Sequence, residues 1–154
     1  MIIESVYKSI TLTDFAYYIY RGYQEFQPEN LLPSELNATV IADACYKNEA
    51  SIVAMDGDDV AGIVAVSDSR NGELEYRYPV ATGWLYYVSP EFRGRGKRIL
   101  SQMCRASRKK LEESGIQRII GEAQPEHRVS RWVLFREGFR VKKSVMELRL
   151  NERA

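Results

Sequence analysis

Residues 88–100, V-S-P-E-F-R-G-R-G-K-R-I-L, constrain the fold more than any other stretch, because an apolar strand passes through a glycine-rich basic loop directly into an amphipathic helix. Gly94 and Gly96 are expected to let the backbone turn tightly enough to direct several N–H groups inward, and the helix that follows adds the positive end of its dipole there. The combination predicts a phosphate cradle with a pyrophosphate as guest. The Walker spacing G-x-x-x-x-G-K-[ST] is not met, and the dinucleotide fingerprint G-x-G-x-x-G fails because Ile99 stands where its third glycine belongs. A solvated basic turn or an arginine patch for nucleic acid has the same composition, so the order of elements along the chain has to decide.

Apolar spacing predicts a first strand over residues 2–8 and then a helix opened by Thr11-Leu12-Thr13-Asp14, a hydroxyl followed three residues on by a carboxylate. Leu12, Phe15, Ala16, Ile19, Tyr23 and Phe26 recur at helical spacing, while Tyr17, Tyr18 and Tyr20 lie off that stripe, so some of them are expected to face another element or a cleft. A second helix begins near Ser34 and carries Leu36, Val40, Ile41 and Ala44 on its apolar side. Two strands, 51–55 and 60–66, flank Asp56-Gly57-Asp58-Asp59 and read as a hairpin. Strand 81–88 feeds the glycine-basic loop; the helix after it buries Ile99, Leu100, Met103 and Leu111 and stops at Gly115. A strand over 116–123, a helix from Pro125 to Gly138, and two short strands over 139–141 and 145–150 complete the order.

A chain of 154 residues is expected to form one domain over residues 1–154, burying about two-thirds of its unfolded surface. The N-terminus has an early acid and no long apolar run, so neither a signal peptide nor a membrane span is expected and the expected compartment is the cytoplasm. Cys45 and Cys104 are far apart and lack C-x-x-C spacing, which points to reduced structural thiols and no metal site. Residues 1–90 carry a net charge of −8, residues 91–140 a net +7 and residues 141–154 a net +2. A polyanion is attracted to the second part and a cation to the first, if the charges cluster in space as they do in sequence. A nucleic-acid binder is usually basic overall, whereas the total here is +1.

The glycine loop resembles the acyl-CoA loop of the GNAT acetyltransferase superfamily, V-x-x-x-x-[RQ]-x-x-G-x-[GA], with Val88, Arg93 and Gly96 at matching positions and Arg98 where Gly or Ala is usual. The element order β-α-α-β-β-β-α-β-α-β-β is also similar to that family over nearly the whole chain. The resemblance implies an α/β (α+β) fold with a central mixed, mostly antiparallel sheet of about seven strands and about four helices. Ser130, Val133, Leu134, Gly138 and Phe139 match a second signature, S-x-x-V-L-x-x-x-G-F, that resembles the branch acetylating ribosomal-protein N-termini; the usual Asn before the Ser is His127 here.

The resemblance implies transfer of an acetyl group from acetyl-CoA, as co-substrate, to a primary amine by direct attack in a ternary complex. It assigns the pantetheine arm and thioester carbonyl to the main chain at Tyr87 and Val88, and the pyrophosphate to Arg93, Gly94, Arg95, Gly96, Lys97 and Arg98. The family's usual proton-donating Tyr falls at Leu134, so Ser130, one turn earlier, is either the substitute acid or a plain CoA contact. A carboxylate of raised pKa suits the general base: Glu122 is the first candidate and Glu75 the second, with His127 as a further base or CoA contact. The acceptor expected is a cationic amine: a small molecule, a lysine side chain or a protein N-terminus. Two other readings compete, a CoA-binding module without catalysis and a nucleic-acid binder using Arg93–Arg98. An exposed terminal strand also offers pairing to a second copy, giving a homodimer.

Overall fold

The computed structural model describes residues 1–26, 35–68, 80–121, 128–141, 148 and 150. In chain order they form β1 (Ile2–Ser5), a 3-10 turn (Val6–Lys8), α1 (Leu12–Phe26), α2 (Glu35–Cys45), β2 (Ile52–Asp56), β3 (Asp59–Asp68), β4 (Val80–Val88), a second 3-10 turn (Pro90–Arg95), α3 (Gly96–Glu113), β5 (Arg118–Gly121) and α4 (Arg128–Arg136). The strands make one sheet of order β1-β2-β3-β4-β5. The first three pairings are antiparallel and β4–β5 is parallel, as a strand, helix, strand connection through α3 requires.

Both faces of the sheet are covered. Ile52, Ala54, Ala61, Val64, Val66, Ala81 and Tyr86 pack with Ile99, Leu100, Met103 and Leu111 of α3 and Val133 and Leu134 of α4. On the other face Val53, Val60, Ile63, Ala65, Leu85 and Tyr87 meet Phe15 and Ile19 of α1 and Ala38, Ala42 and Cys45 of α2. Strand residues buried on alternate sides explain why β3 and β4 read as continuous apolar runs. The alternation in β4 breaks at one point: Ala65 pairs with Leu85 but Val66 with Gly83, so Trp84 is the extra residue of a β-bulge.

Local signals in the sequence match what forms. Thr11 Oγ1 accepts the Asp14 N–H at 3.1 Å and starts α1. Gly57 (φ 62°) sits in the hairpin turn between Asp56 and Asp59, which pair directly. Gly115 (φ 79°) and Gly138 (φ 104°) end α3 and α4 in the left-handed conformation. Each is followed by an apolar residue whose N–H returns to the helix, Ile116 to Leu111 O at 3.0 Å and Phe139 to Leu134 O at 2.9 Å.

Those returns correct the strand count. The expected seven strands are five among the described residues. Residues 139–141 are not a strand: the Phe139 N–H is committed to the end of α4, and the Arg140 guanidinium donates to Phe135 O and Phe139 O at 3.1 and 2.7 Å. The strand expected over 145–150 lies largely outside the described residues. For the same reason β5 begins at Arg118 rather than Ile116, and β1 stops at Ser5 because the Ser9 and Ile10 N–H groups both turn back to Val6 O. The expected face of α2 is met in part, with Ile41 and Ala44 half-buried against the core. Val40 is 59% exposed, and the small residues Ala38, Ala42 and Cys45 face the sheet, where a helix can approach closely. Leu12, expected in the α1 stripe, is exposed as well.

Candidate functional site

The C-terminal end of β4 is pinned before it turns. Ser89 is buried; its Oγ donates to Val60 O and its N–H to Ala61 O, each at 2.8 Å, which ties the start of the basic loop to β3. Pro90 then opens the 3-10 turn Pro90–Arg95, and α3 begins at Gly96. The glycine-basic segment is therefore a tight helical turn continuous with α3. No side chain caps the first turn of α3 and no acid lies in it. The Gly96 N–H is taken by Arg93 O within the preceding turn, and N–H groups after it that lack a partner are donors to water or to an anion.

The reason expected for the two glycines needs correcting. Neither Gly94 nor Gly96 has a positive φ, and Gly96 is right-handed helical at φ −59°, ψ −41°. A Cβ built on Gly94 meets nothing within 4 Å, and one on Gly96 meets only Val88 Cγ1, at 3.9 Å. The turn itself does not demand glycine. What the missing side chains leave is open space over the backbone, where a ligand can approach.

This turn follows the C-terminal end of β4. Among the described residues, pairing of β4 with β5 runs from Val80↔Arg118 to Gly83↔Gly121, and β4 itself ends at Val88. The bulge at Trp84 comes directly after Gly83. Tyr23 Oη of α1 donates to the Trp84 carbonyl at 2.7 Å, and the Trp84 indole N–H donates to Ser67 Oγ at 2.8 Å, so main chain and ring of the bulged residue are both held. Tyr86 fills the space over the glycine pair: a Cβ on Gly83 would lie 2.0 Å from its Oη, and one on Gly121 3.3 Å. Burial raises the Tyr86 hydroxyl well above the ordinary tyrosine range. Tyr87 is 1% exposed and packs on the α1 side; burial raises its hydroxyl too, with Glu25 adding to the effect.

The loop cations separate into two groups. Arg93 donates from Nη2 to Glu25 of α1 at 2.5 Å and from Nε to Val88 O at 3.3 Å; Arg95 reaches Asp56 at 3.4 Å and lies 5.7 Å from the Phe92 ring centroid. These two brace the turn against α1 and the β2–β3 hairpin. Lys97 and Arg98 instead line a groove of about 390 Å³ between α3 and α4, with Ser101, Gln102, Arg105, Trp132, Val133 and Arg136. Lys97 Nζ and the Arg136 guanidinium lie 4.8 and 5.2 Å from the Trp132 ring centroid. Arg105 and Ser101 both donate to the Glu137 carboxylate. Burial opposes the charge on Glu137, but these donors and the nearby Arg136 outweigh it and hold the carboxyl below its ordinary range.

Tyr87, Val88 and residues Arg93 to Arg98 thus occupy one continuous strand, turn and helix start. Ser130 lies in the first turn of α4, one turn before the buried Leu134; its side chain, and all of Glu122, Glu75, Pro125 and His127, fall outside the described residues. On α1, Tyr17 is exposed and lies 5.8 Å from the Arg21 guanidinium, and burial together with Tyr17 and Asp14 raises the Tyr18 hydroxyl. Sequence reasoning passed over the acids that hold Arg93 and Arg95, the bulge, and the α3–α4 groove. The groove was visible as the four-residue stripes Lys97-Ser101-Arg105 and Trp132-Arg136, and Gly83 inside an apolar strand is an ordinary bulge signal. Among the described residues no group of His, Cys, Asp or Glu could hold a metal ion, and no helix is long and apolar enough to cross a membrane.

A mixed sheet whose fourth strand runs through a short turn into a helix N-terminus without a side-chain cap defines the α/β class of this protein. The Acetyltransferase (GNAT) family pattern matches residues 16–139. Solved structures of the same fold include a probable acetyltransferase (16% identity, TM-score 0.67, covering 100% of this chain and 99% of that one). An aminoglycoside N-acetyltransferase, AAC(6')-Iy, in complex with CoA is similar at 17% identity and TM-score 0.61, with 90% of each chain covered. A ribosomal-protein-alanine N-acetyltransferase from Brucella melitensis biovar Abortus 2308 is similar at 16% identity and TM-score 0.59, covering 92% of this chain and 96% of that one. No curated protein matches the sequence. The chain belongs to the GNAT acetyltransferase family, whose acyl donor is acetyl-CoA.

Proposed function

We propose that residues 1–154 act as one catalytic domain that transfers the acetyl group of acetyl-CoA to a cationic primary amine, by direct attack in a ternary complex. The observation that supports this most is that the end of β4 leads through a short turn into an α3 N-terminus that no side chain caps. An extended arm can lie along the main chain at the end of β4, and phosphates can accept from N–H groups at the start of α3. The main chain of Tyr87 and Val88 holds the arm and the thioester carbonyl. The turn from Arg93 to Arg98 holds the pyrophosphate, with Gly94 and Gly96 keeping its approach open and Arg93 and Arg95 keeping the turn in place.

Glu122 accepts a proton from the ammonium of the acceptor. The amine nitrogen then attacks the thioester carbonyl carbon, a C–N bond forms as the C–S bond breaks, the nitrogen releases its second proton to water, and the Ser130 hydroxyl supplies a proton to the departing thiolate. Solvent restores both groups. The acidic surplus of residues 1–90 and the α1 tyrosines Tyr17, Tyr18 and Tyr20 favour a cationic acceptor, whether a small polyamine, an aminoglycoside, a lysine side chain or a protein N-terminus.

The test is a thermal-shift titration with acetyl-CoA against ATP, NAD and a short DNA duplex, followed by thiol release with spermidine, kanamycin and an alanine-terminated peptide. Selective stabilisation by acetyl-CoA with amine-dependent thiol release is the expected result. Stabilisation without release from any acceptor would favour a non-catalytic CoA-binding module, and a shift with DNA alone would move the basic turn to nucleic acid.

A further inference from the structure

Three consecutive residues of β3 hold the end of β4. Ser89 Oγ donates to Val60 O and the Ser89 N–H to Ala61 O, each at 2.8 Å. Gly62, the register partner of Val88, takes the next contact: a Cβ built on it would lie 2.6 Å from the Tyr87 carbonyl oxygen, 2.7 Å from Met103 Cε and 3.3 Å from Met103 Sδ. On its other edge β3 is bulged at the same place. Ala54 pairs with Gly62 and Met55 with Val60, which leaves Ala61 as the extra residue.

Gly62 is not one of the glycines with positive φ, so no left-handed conformation demands glycine there; what the position excludes is a side chain. The two neighbours differ in what they can yield. Met103 Cε is the free end of a flexible side chain and can swing aside. The Tyr87 oxygen belongs to a peptide group and moves only if the whole peptide turns. That peptide is trans and planar, so the Val88 N–H at its other side points away from β3 while the Tyr87 oxygen points toward Gly62. Displacing the oxygen therefore re-aims the N–H.

We infer that Gly62 is a positioning residue for the acyl donor: the space over its Cα fixes the plane of the Tyr87–Val88 peptide and, through it, the direction of the Val88 N–H toward the thioester carbonyl. This rests on the acetyl-CoA reading above, which gives the arm and the thioester to this main chain, and adds the residue on the neighbouring strand that aims it. A hydrogen bond weakens steeply as its angle closes, so a donor held in one direction by its own strand pairing is effective where a turned one is not.

The test uses isothermal titration calorimetry with two ligands, acetyl-CoA and adenosine 3'-phosphate 5'-diphosphate, which keeps the nucleotide and pyrophosphate and lacks the acylated arm. The proteins are the wild type, Gly62→Ala, and Gly62→Ala combined with Met103→Leu, with urea unfolding run on each. Leucine has no Cε, so the double variant relieves the packing contact and leaves the one with Tyr87 O. Gly62→Ala should bind acetyl-CoA on the order of tenfold more weakly, as the loss of one hydrogen bond allows, and the armless ligand as tightly as the wild type does. The double variant should regain the urea midpoint without regaining the acetyl-CoA affinity. Unchanged acetyl-CoA affinity in Gly62→Ala, an equal loss for both ligands, or full recovery of affinity in the double variant would overturn the positioning role while leaving acetyl-CoA binding by the wild type intact. A wild type that does not bind acetyl-CoA would overturn that reading and this inference with it.

Discussion

Replacing Gly96 with Ala should make the free protein more stable and its grip on acetyl-CoA weaker. Gly96 has ordinary right-handed helical dihedrals, and a new methyl group would touch only Val88 Cγ1, at 3.9 Å, an unstrained contact. The substitution removes freedom from the unfolded chain without adding strain to the folded one, a gain of about 0.5–1 kcal/mol. For a chain of 154 residues that corresponds to a rise in Tm of about 1–4 °C. Acetyl-CoA should pay the opposite penalty, because the methyl group occupies the space through which its pyrophosphate reaches the backbone N–H groups. A loss of about tenfold in affinity, about 1.4 kcal/mol, is expected. Scanning calorimetry and isothermal titration on the same samples measure the two effects. Gly115→Ala is the internal contrast: at φ 79° a side chain is strained, so it should lower stability by about 1 kcal/mol and leave acetyl-CoA affinity unchanged. A destabilised Gly96→Ala, or a stabilised one that binds acetyl-CoA as tightly as the wild type, would refute the argument that glycine is kept there for the ligand.

Three further outcomes are expected. Ser130→Ala should lower kcat by at least about tenfold with the Kd for acetyl-CoA nearly unchanged, measured by thiol release and calorimetry; equal turnover would remove Ser130 as the acid. Glu137 is held ionised by Ser101 and Arg105, so its stabilising effect is fully present above the ordinary carboxylate range and is lost as pH falls through its depressed pKa. Urea unfolding between about pH 7 and pH 3 should therefore show a shallower acid loss for Glu137→Gln than for the wild type. Burial pushes the Cys45 and Cys104 thiols up to about 12, so a disulfide reagent at neutral pH should modify neither in the native protein and both in denaturant. Native labelling would contradict their burial; its absence makes the protein silent in a thiol-release assay.

Several parts of this protein were decided by residues within one helical turn of each other, and these were legible in the sequence. Thr11 starts α1, Gly57 closes the hairpin, and Gly115 and Gly138 with the apolar residue after each end α3 and α4. Each works through a local hydrogen bond or a local dihedral, so its neighbours in sequence suffice. The passage of β4 through a glycine-basic turn into α3 belongs to the same class, and it carries most of the candidate site.

Tertiary structure decided which partner each side chain received. Arg93 met Glu25 from 68 residues away and Arg95 met Asp56 from 39 away, so two of the loop's cations became braces, while Lys97 and Arg98 turned to a groove that exists only because α4 packs beside α3. The fully buried positions of α2 went to Ala38, Ala42 and Cys45, with Ile41 and Ala44 half-buried beside them, since closeness to the sheet outweighed side-chain size. The same holds for the strands. Ile116 and Phe139 have strand-forming side chains, but a single N–H cannot serve both a helix end and a sheet ladder, and the helix end took it. Local chemistry specifies how a segment can bend and stop; the distance at which another element arrives determines what its side chains are used for.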